Sequence, residues 1–149
     1  MRSSYFRLKV TTQKTENAVK IEMPITEVQD FLSNSYNINI ELKNIGEDKI
    51  EANYLVSLVL TIKEVRKYEI IFQYEVNGFV DLLAKGAHFI LEEKLDHTAI
   101  EWNSKTSEVV VDLKKIQAFS DFLEVYFLSG LHFVNNDIIL TLNTISNIE

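Results

Sequence analysis

Three histidines are the side chains in this sequence best suited to chemistry near neutral pH. His88 precedes Glu92 by four positions, His97 directly follows Asp96, and His132 lies further along the chain. A regular strand would place His88 and Glu92 on one face, where they could form half of a metal site. No third ligand has a matching spacing. The pair is therefore interpreted as a polar pair on a sheet surface, and no metal site is predicted.

Other catalytic patterns are incomplete. Asp96 and His97 could belong to a hydrolase triad, but a triad is defined by spatial geometry, and the sequence has no GxSxG turn. The phosphate-binding loops GxxxxGK[ST] and GxGxxG are also missing. Glu92 and Glu93 would face opposite sides of a strand, which does not suit a glycosidase pair. The chain has no cysteine, which excludes a cysteine nucleophile and a Cys-ligated metal. Because the other catalytic patterns are also incomplete, we expect no catalytic residue and no cofactor.

The charge balance limits the partners of the protein. Its 149 residues include 22 acidic and 15 basic side chains, giving a formal net charge of -7. Such a surface repels a phosphate backbone, so nucleic acid is not an expected partner. Two small basic clusters could contact an anionic headgroup, namely Lys63, Arg66 and Lys67, and the pair Lys114 and Lys115.

Length and hydropathy indicate one domain over residues 1–149. A chain of this length, with 46% hydrophobic residues, can bury a core without disulfides or metals. No run of 18 apolar residues exists, so no transmembrane segment is expected. The start MRSSYFRLKVTT lacks the apolar core of a signal peptide. We therefore expect a soluble protein, either cytoplasmic or released without a leader.

Alternation of apolar and polar residues predicts that most of the chain is β-strand. Strands are predicted around residues 6–10, 19–23, 38–42, 68–76, 100–102, 109–113, 131–134 and 138–142. Short turns separate them, among them NIGED, EVRK, Asn77-Gly78, DHT, NSKTS and NND. Strands that follow one another through short turns predict a mainly antiparallel sheet.

Two stretches carry apolar residues on both faces of a predicted strand. Residues 50–62 form one long strand in which Leu55 and Val59 oppose the main apolar face. Residues 79–84 are apolar apart from Asp81, Gly86 allows a bend, and the sheet continues through residue 95. An ordinary core is the more common explanation of such apolar faces, but these stretches also support a pocket for an apolar ligand, and both interpretations stay open.

Two helices are predicted. Thr26 and Gln29 fit a capping box at the start of a short helix of about two turns that ends near Asn34. A long C-terminal helix starts near Ile116 and ends at Gly130, which suits the position after a helix end. Its apolar stripe consists of Ile116, Phe119, Phe122, Leu123, Tyr126 and Phe127.

The resulting fold class is α+β, in which a long curved antiparallel meander wraps the long C-terminal helix and one short helix lies near the N-terminus. This order resembles the TULIP superfamily of tubular lipid-binding proteins over roughly residues 19–145. The segments that carry the resemblance are MPITEVQDFLS, LKKIQAFSDFLEVYFLSG and LHFVNNDIILTLN. The resemblance implies a bent sheet that encloses an elongated apolar groove. Small TULIP-like proteins encoded beside bacterial neurotoxins are similar in size, and some of them bind phosphoinositides.

The leading hypothesis is a non-enzymatic protein that binds a lipid, a phosphoinositide or another apolar ligand, or a protein partner. Its predicted ligand residues are Phe119, Phe122, Leu123, Tyr126 and Phe127, and its predicted headgroup residues are the five basic residues of the two clusters. The alternative is a chaperone or interaction module that forms an oligomer. The segment from INIELKN to YEVNGF resembles the long-stranded half of the export chaperone SecB, although SecB ends in helices where this chain predicts strands.

Overall fold

The computed structural model describes residues 11–14, 18–54, 56–77 and 81–145, and it describes only the backbone at 11–13, 77, 81–85, 87 and 88. The strand predicted at residues 6–10 lies outside this range. In chain order the elements are β1 (Thr11–Lys14), β2 (Ala18–Pro24), α1 (Ile25–Tyr36), β3 (Glu41–Asn44), β4 (Lys49–Tyr54), β5 (Val56–Val65), β6 (Glu69–Asn77), α2 (Asp81–Leu95), β7 (Ile100–Asn103), β8 (Glu108–Asp112), α3 (Gln117–Ser120), β9 (Tyr126–Val134) and β10 (Asp137–Thr144).

The strands form two antiparallel sheets. One has four strands in the order β1-β2-β10-β9, and the other has six in the order β3-β4-β5-β6-β8-β7. The predicted antiparallel pairing is confirmed, and most of the predicted turns lie between strands as expected. Alternation is clearest in β2, where Val19, Ile21 and Met23 are at most 5% exposed and their neighbours face outward.

The two sheets face each other across one apolar core. Ile21 pairs with Leu140 in the four-stranded sheet, and both side chains are at most 1% exposed. The sheets also meet along β9, where the Leu128 N–H donates to the Lys67 carbonyl at 2.7 Å and the Phe133 N–H donates to the Glu47 carbonyl at 2.9 Å. These bonds occupy part of the outer edge of β9 and fix the two sheets relative to each other.

Helix α1 is longer than predicted, because tertiary contacts fix both of its ends. The predicted capping box does not form. The Ile25 N–H instead donates to the Asn136 carbonyl at 2.8 Å, and Gln29 Oε1 accepts from the Leu42 N–H at 2.7 Å, which covers the edge of β3. The left-handed residue after the helix is Asn37, with φ of 58°, three positions later than predicted.

The long strand predicted over residues 50–62 is two strands. Tyr54 of β4 pairs with Val56 of β5, so the chain reverses between these two residues. Strand side chains alternate with period two, so a reversal at an odd-numbered position keeps every even-numbered residue on one face. The sequence pattern is therefore the same for one strand and for this hairpin.

Helix α2 replaces the strand predicted between residues 79 and 95. Leu91 and Leu95 lie one helical turn apart, and they are 1% and 4% exposed. Gly86 lies within the helix and not at a bend. Short apolar runs fit a buried strand as well as a helix, and periodicity alone does not separate the two.

The long C-terminal helix is not formed, so the predicted fold class is wrong. The segment consists of a 3₁₀ turn at Leu113–Lys115, the four-residue α3, a second 3₁₀ turn at Phe122–Glu124, and then β9. From residue 126 onward the chain pairs with β10 through its full ladder. That pairing satisfies the backbone and buries Leu128 and Phe133, which outweighs the helical spacing of the aromatic residues.

A substitution at Gly130 tests whether this residue lies inside a strand or directly after the end of a helix. It lies inside β9 opposite Thr141, and an added Cβ would be 3.6 Å from the Thr141 Cβ, an ordinary contact. Glycine in a strand interior costs about 0.5–1 kcal/mol relative to alanine. We expect Gly130→Ala to leave the free energy of unfolding unchanged or to raise it by up to ~1 kcal/mol in urea denaturation. A loss of ~1 kcal/mol, as at a left-handed helix end, would contradict this assignment.

Candidate functional site

A cavity of about 170 Å³ lies between the two sheets. Its lining comes from the inner faces of both sheets, from α1 and α2, and from the segment that leads into α3. Cores normally contain few voids larger than a water molecule. This cavity is therefore the feature of the described chain that is best suited to hold a second molecule.

The six-stranded sheet supplies most of the lining. Its pairing produces rows of apolar side chains across neighbouring strands, because directly opposite residues share a face. One row joins Phe72, Val109 and Trp102, and another joins Ile70, Val111 and Ile100. The lining residues from this sheet and its approach are Ile38, Ile40, Leu42, Ile50, Leu60, Ile70, Phe72, Ile100, Trp102, Val109 and Val111.

The opposite wall and the ends come from the remaining elements. The four-stranded sheet contributes Met23, Leu131, Phe133, Ile138 and Leu140. The helices and the segment before α3 contribute Val28, Phe31, Leu32, Leu91, Leu95, Leu113, Ile116 and Phe119. None of the described lining residues is ionisable, so the site favours apolar over charged molecules.

Two lining residues retain accessible surface although they lie on interior strands. Leu60 in β5 and Val111 in β8 are both half-buried. Leu60 pairs with Ile50, which also lines the cavity, so both side chains face inward. The accessible surface of these two side chains is thus available for contact with a molecule in the cavity.

Trp102 lies beside Tyr74 at one side of the cavity. The ring centroids are 4.7 Å apart, and the side chains are 8% and 3% exposed. Burial raises the pKa of the Tyr74 phenol, a hydrogen bond with Trp102 offsets part of the rise, and the charge of Glu92 adds to it. Trp102 is the single tryptophan of the sequence, so its fluorescence reports on the cavity directly.

The buried phenols predict a loss of stability at alkaline pH. Burial also raises the pKa of Tyr36, partly offset by bonds from the Ala99 N–H and Thr98. A phenol whose pKa is higher in the folded than in the unfolded state stabilises the fold below about pH 10, and this contribution is lost as the pH rises through the folded pKa. We expect the free energy of unfolding to fall above about pH 10, and to fall less steeply in Tyr74→Phe and Tyr36→Phe. Urea titrations at each pH give this slope, and equal slopes in all three proteins would contradict the prediction.

The structure separates the five predicted ligand residues. Phe119 is 3% exposed and lines the cavity. Leu123 is buried in the core, and Phe122 and Tyr126 pack against that core from the side. Phe127 is half-buried in β9. Because the helix that would align them does not form, only Phe119 of this set reaches the cavity.

The two basic clusters predicted for a headgroup come together, but two of their members are already paired. The Leu113 N–H donates to the Tyr68 carbonyl at 2.9 Å, which places the start of one cluster beside the end of the other. Lys63 forms an ion pair with Glu108, which lowers the pKa of that carboxyl group. Arg66 contacts Glu64 at 3.1 Å and Glu69 at 3.6 Å.

The remaining three lysines are exposed. The Lys114 ammonium lies 3.9 Å from the centroid of the Tyr68 ring, a cation–π contact. Lys67, Lys114 and Lys115 form no ion pair within the described part of the chain. Asp112, which accepts from the Lys114 N–H at 3.1 Å, makes the local charge mixed. A headgroup contact here stays a prediction.

The two histidines whose side chains are described, His97 and His132, lie in separate parts of the fold. His97 lies in the turn before β7 with φ of 65°, and its Nε2 is 3.4 Å from the Asp96 carboxylate. His132 pairs with Ile139 on β9. His88 lies in α2, and its side chain is outside the described set. Among the side chains that are described, no three metal-ligating groups converge.

Comparisons of this chain with protein-family models, curated proteins and solved structures give no match. In the described ranges, no helix has the length and apolar character needed to cross a membrane. The TULIP resemblance stays a prediction, without the long helix that carried it.

Apart from Phe119, the cavity residues were visible in the sequence only as apolar positions of predicted strands and helices. Alternation placed residues 100–102 and 109–113 in strands, and β7 and β8 confirm this. No sequence pattern shows that the side chains of the two facing sheets leave an unfilled space between them. That space depends on side chains distant in sequence, such as Val111 and Leu140.

Proposed function

We propose that this protein is a non-enzymatic binding protein whose inter-sheet cavity holds an apolar ligand, either the hydrocarbon part of a lipid or another apolar molecule. One observation supports the proposal above all, namely a cavity of about 170 Å³ lined by apolar side chains from both sheets and both longer helices. An apolar cavity of about 150 Å³ is large enough to bind benzene.

The mechanism of binding is transfer of apolar surface from water into a preformed site. Leu60 and Val111 supply accessible carbon surface at the cavity, and burial contributes roughly 25 cal/mol per Å². Strand residues position these side chains, so little ordering is required on binding. The ligand is expected to lose most of its water and to contact aliphatic and aromatic carbon of the lining.

Trp102 fluorescence tests this proposal. Purified protein is titrated with benzene, toluene and palmitate, and emission of the single tryptophan is followed together with calorimetric heats. We expect saturable changes with at least one of these ligands. Native mass spectrometry of the purified protein checks for a bound lipid. If no ligand gives a saturable response and no lipid is bound, the proposal is wrong.

The chaperone-like alternative has weaker support. Exposed large apolar side chains occur at separate places, with Phe89 on α2 at 65% exposure and Ile45 and Val134 near the Asn44–Asn135 hydrogen bond. Scattered apolar residues are normal on protein surfaces, whereas a binding face needs a contiguous patch. The alternative predicts an oligomer, which sedimentation across concentrations would detect.

A further inference from the structure

We infer that the ligand is a small neutral molecule of about six to eight non-hydrogen atoms, with an aromatic ring, and not a long-chain lipid. This inference rests on the proposed function, since it specifies the ligand of the same cavity. It follows from the size of the cavity, from the absence of charge in its described lining, and from the placement of its aromatic residues.

The volume of the cavity is too small to enclose a long acyl chain completely. The cavity of about 170 Å³ is only slightly larger than one of about 150 Å³ that holds a single benzene. A sixteen-carbon chain has more than twice as many non-hydrogen atoms as a ring of this size. The lining side chains Leu140, Leu91 and Ile38 are at most 2% exposed, and a close-packed interior around them resists expansion.

Charge excludes an ionised group inside the cavity. The described lining contains aliphatic side chains, one methionine and aromatic rings, and it offers no carboxylate, ammonium, hydroxyl or amide side chain. A buried carboxylate or ammonium without such a partner is strongly disfavoured relative to water. Lys114 and Lys115, which lie between the lining residues Leu113 and Ile116 in the sequence, are exposed and do not line the cavity.

Aromatic side chains surround the cavity from different elements. Phe31 belongs to α1, Phe72 to β6, Trp102 to β7, Phe119 to α3 and Phe133 to β9. Rings attract one another in offset and edge-to-face arrangements beyond their area of burial. Five rings distributed around one small volume therefore favour an aromatic ligand over an alkane of equal size.

A ligand series tests the inference on the intact protein. Benzene, toluene, p-xylene, cyclohexane, n-hexadecane and palmitate are titrated separately, with Trp102 emission and calorimetry as readouts. We expect saturable binding of toluene with a dissociation constant of ~1 mM or tighter. We also expect weaker binding of cyclohexane, and no saturable binding of n-hexadecane or palmitate.

The outcomes separate the two proposals. If toluene binds and the long chains do not, both proposals hold. If palmitate or n-hexadecane binds more tightly than toluene, the cavity holds a ligand but the inference on size is overturned. If cyclohexane binds as tightly as toluene, the inference on aromatic preference is overturned. If no member of the series binds, the proposed function and this inference fail together.

Discussion

Replacement of Val111 by phenylalanine is expected to weaken toluene binding at least ten-fold while the fold is retained. Val111 is half-buried, lines the cavity, and pairs with Ile70 and Ile100, which line it as well. The larger side chain adds four non-hydrogen atoms to a space that accommodates about seven. A ten-fold loss corresponds to about 1.4 kcal/mol of binding free energy. Isothermal titration calorimetry measures it without relying on Trp102.

Val110→Phe is the matched control for this experiment. Val110 is the adjacent residue of the same strand, is half-buried, and faces the opposite side of the sheet, where it pairs with Ile71 and Glu101. Both variants place the same new side chain in β8, so they share its effect on strand propensity. We expect Val110→Phe to bind toluene as the unmodified protein does. Equal affinities in Val111→Phe and Val110→Phe would show that toluene does not occupy the cavity.

Replacement of Leu140 by alanine is expected to cost about 3–5 kcal/mol of unfolding free energy. Leu140 is 1% exposed, lines the cavity, and pairs with Ile21 on one side and Leu131 on the other. Removal of its side chain enlarges an existing void, so the surroundings gain little by collapsing. For a domain of this size the midpoint of thermal unfolding should fall by roughly 6–20 °C. Differential scanning calorimetry and urea denaturation measure both quantities.

Leu58→Ala distinguishes cavity enlargement from general loss of packing. Leu58 in β5 is fully buried at 0% exposure but does not line the cavity. Both variants should be destabilised by a few kcal/mol. A ligand that binds only the folded state stabilises it by RT ln(1 + [L]/Kd), so at one ligand concentration the variant with the tighter site is stabilised more. We expect p-xylene to raise the midpoint of Leu140→Ala more than that of Leu58→Ala, and equal shifts would contradict the location of the site.

The predicted effects of these substitutions all depend on the position of the cavity. The residues that line the cavity differ from the ligand residues that the sequence indicated. The sequence placed the ligand on a helix that carries Phe119, Phe122 and Tyr126, yet only Phe119 lines the cavity. Trp102 and Val111, which the sequence placed in two short strands without a role in binding, line it instead. Helical spacing over a dozen residues is a local regularity, and pairing of β9 with β10 outweighed it.

The sequence by itself determined the strands and turns whose conformation depends on residues close to one another in the sequence. Alternation at residues 19–23, 69–76 and 138–142, together with turns such as NIGED, NSKTS and NND, identified most strands and their antiparallel pairing. Cross-strand neighbours and turn conformations depend on residues a few positions apart, and their types are visible in the sequence.

Only the tertiary structure decided that residues 81–95 form a helix and that the segment 116–130 does not form one long helix. It also decided that the chain reverses between Tyr54 and Val56 and that a cavity is present. Each depends on packing between segments far apart in the chain. Leu91 lies in the same core as Ile138, and β9 takes its hydrogen bonds from β10 and from two turns of the other sheet. The volume of a cavity is the space enclosed by the two sheets minus the volume of the side chains that fill it. No local sequence pattern determines that difference.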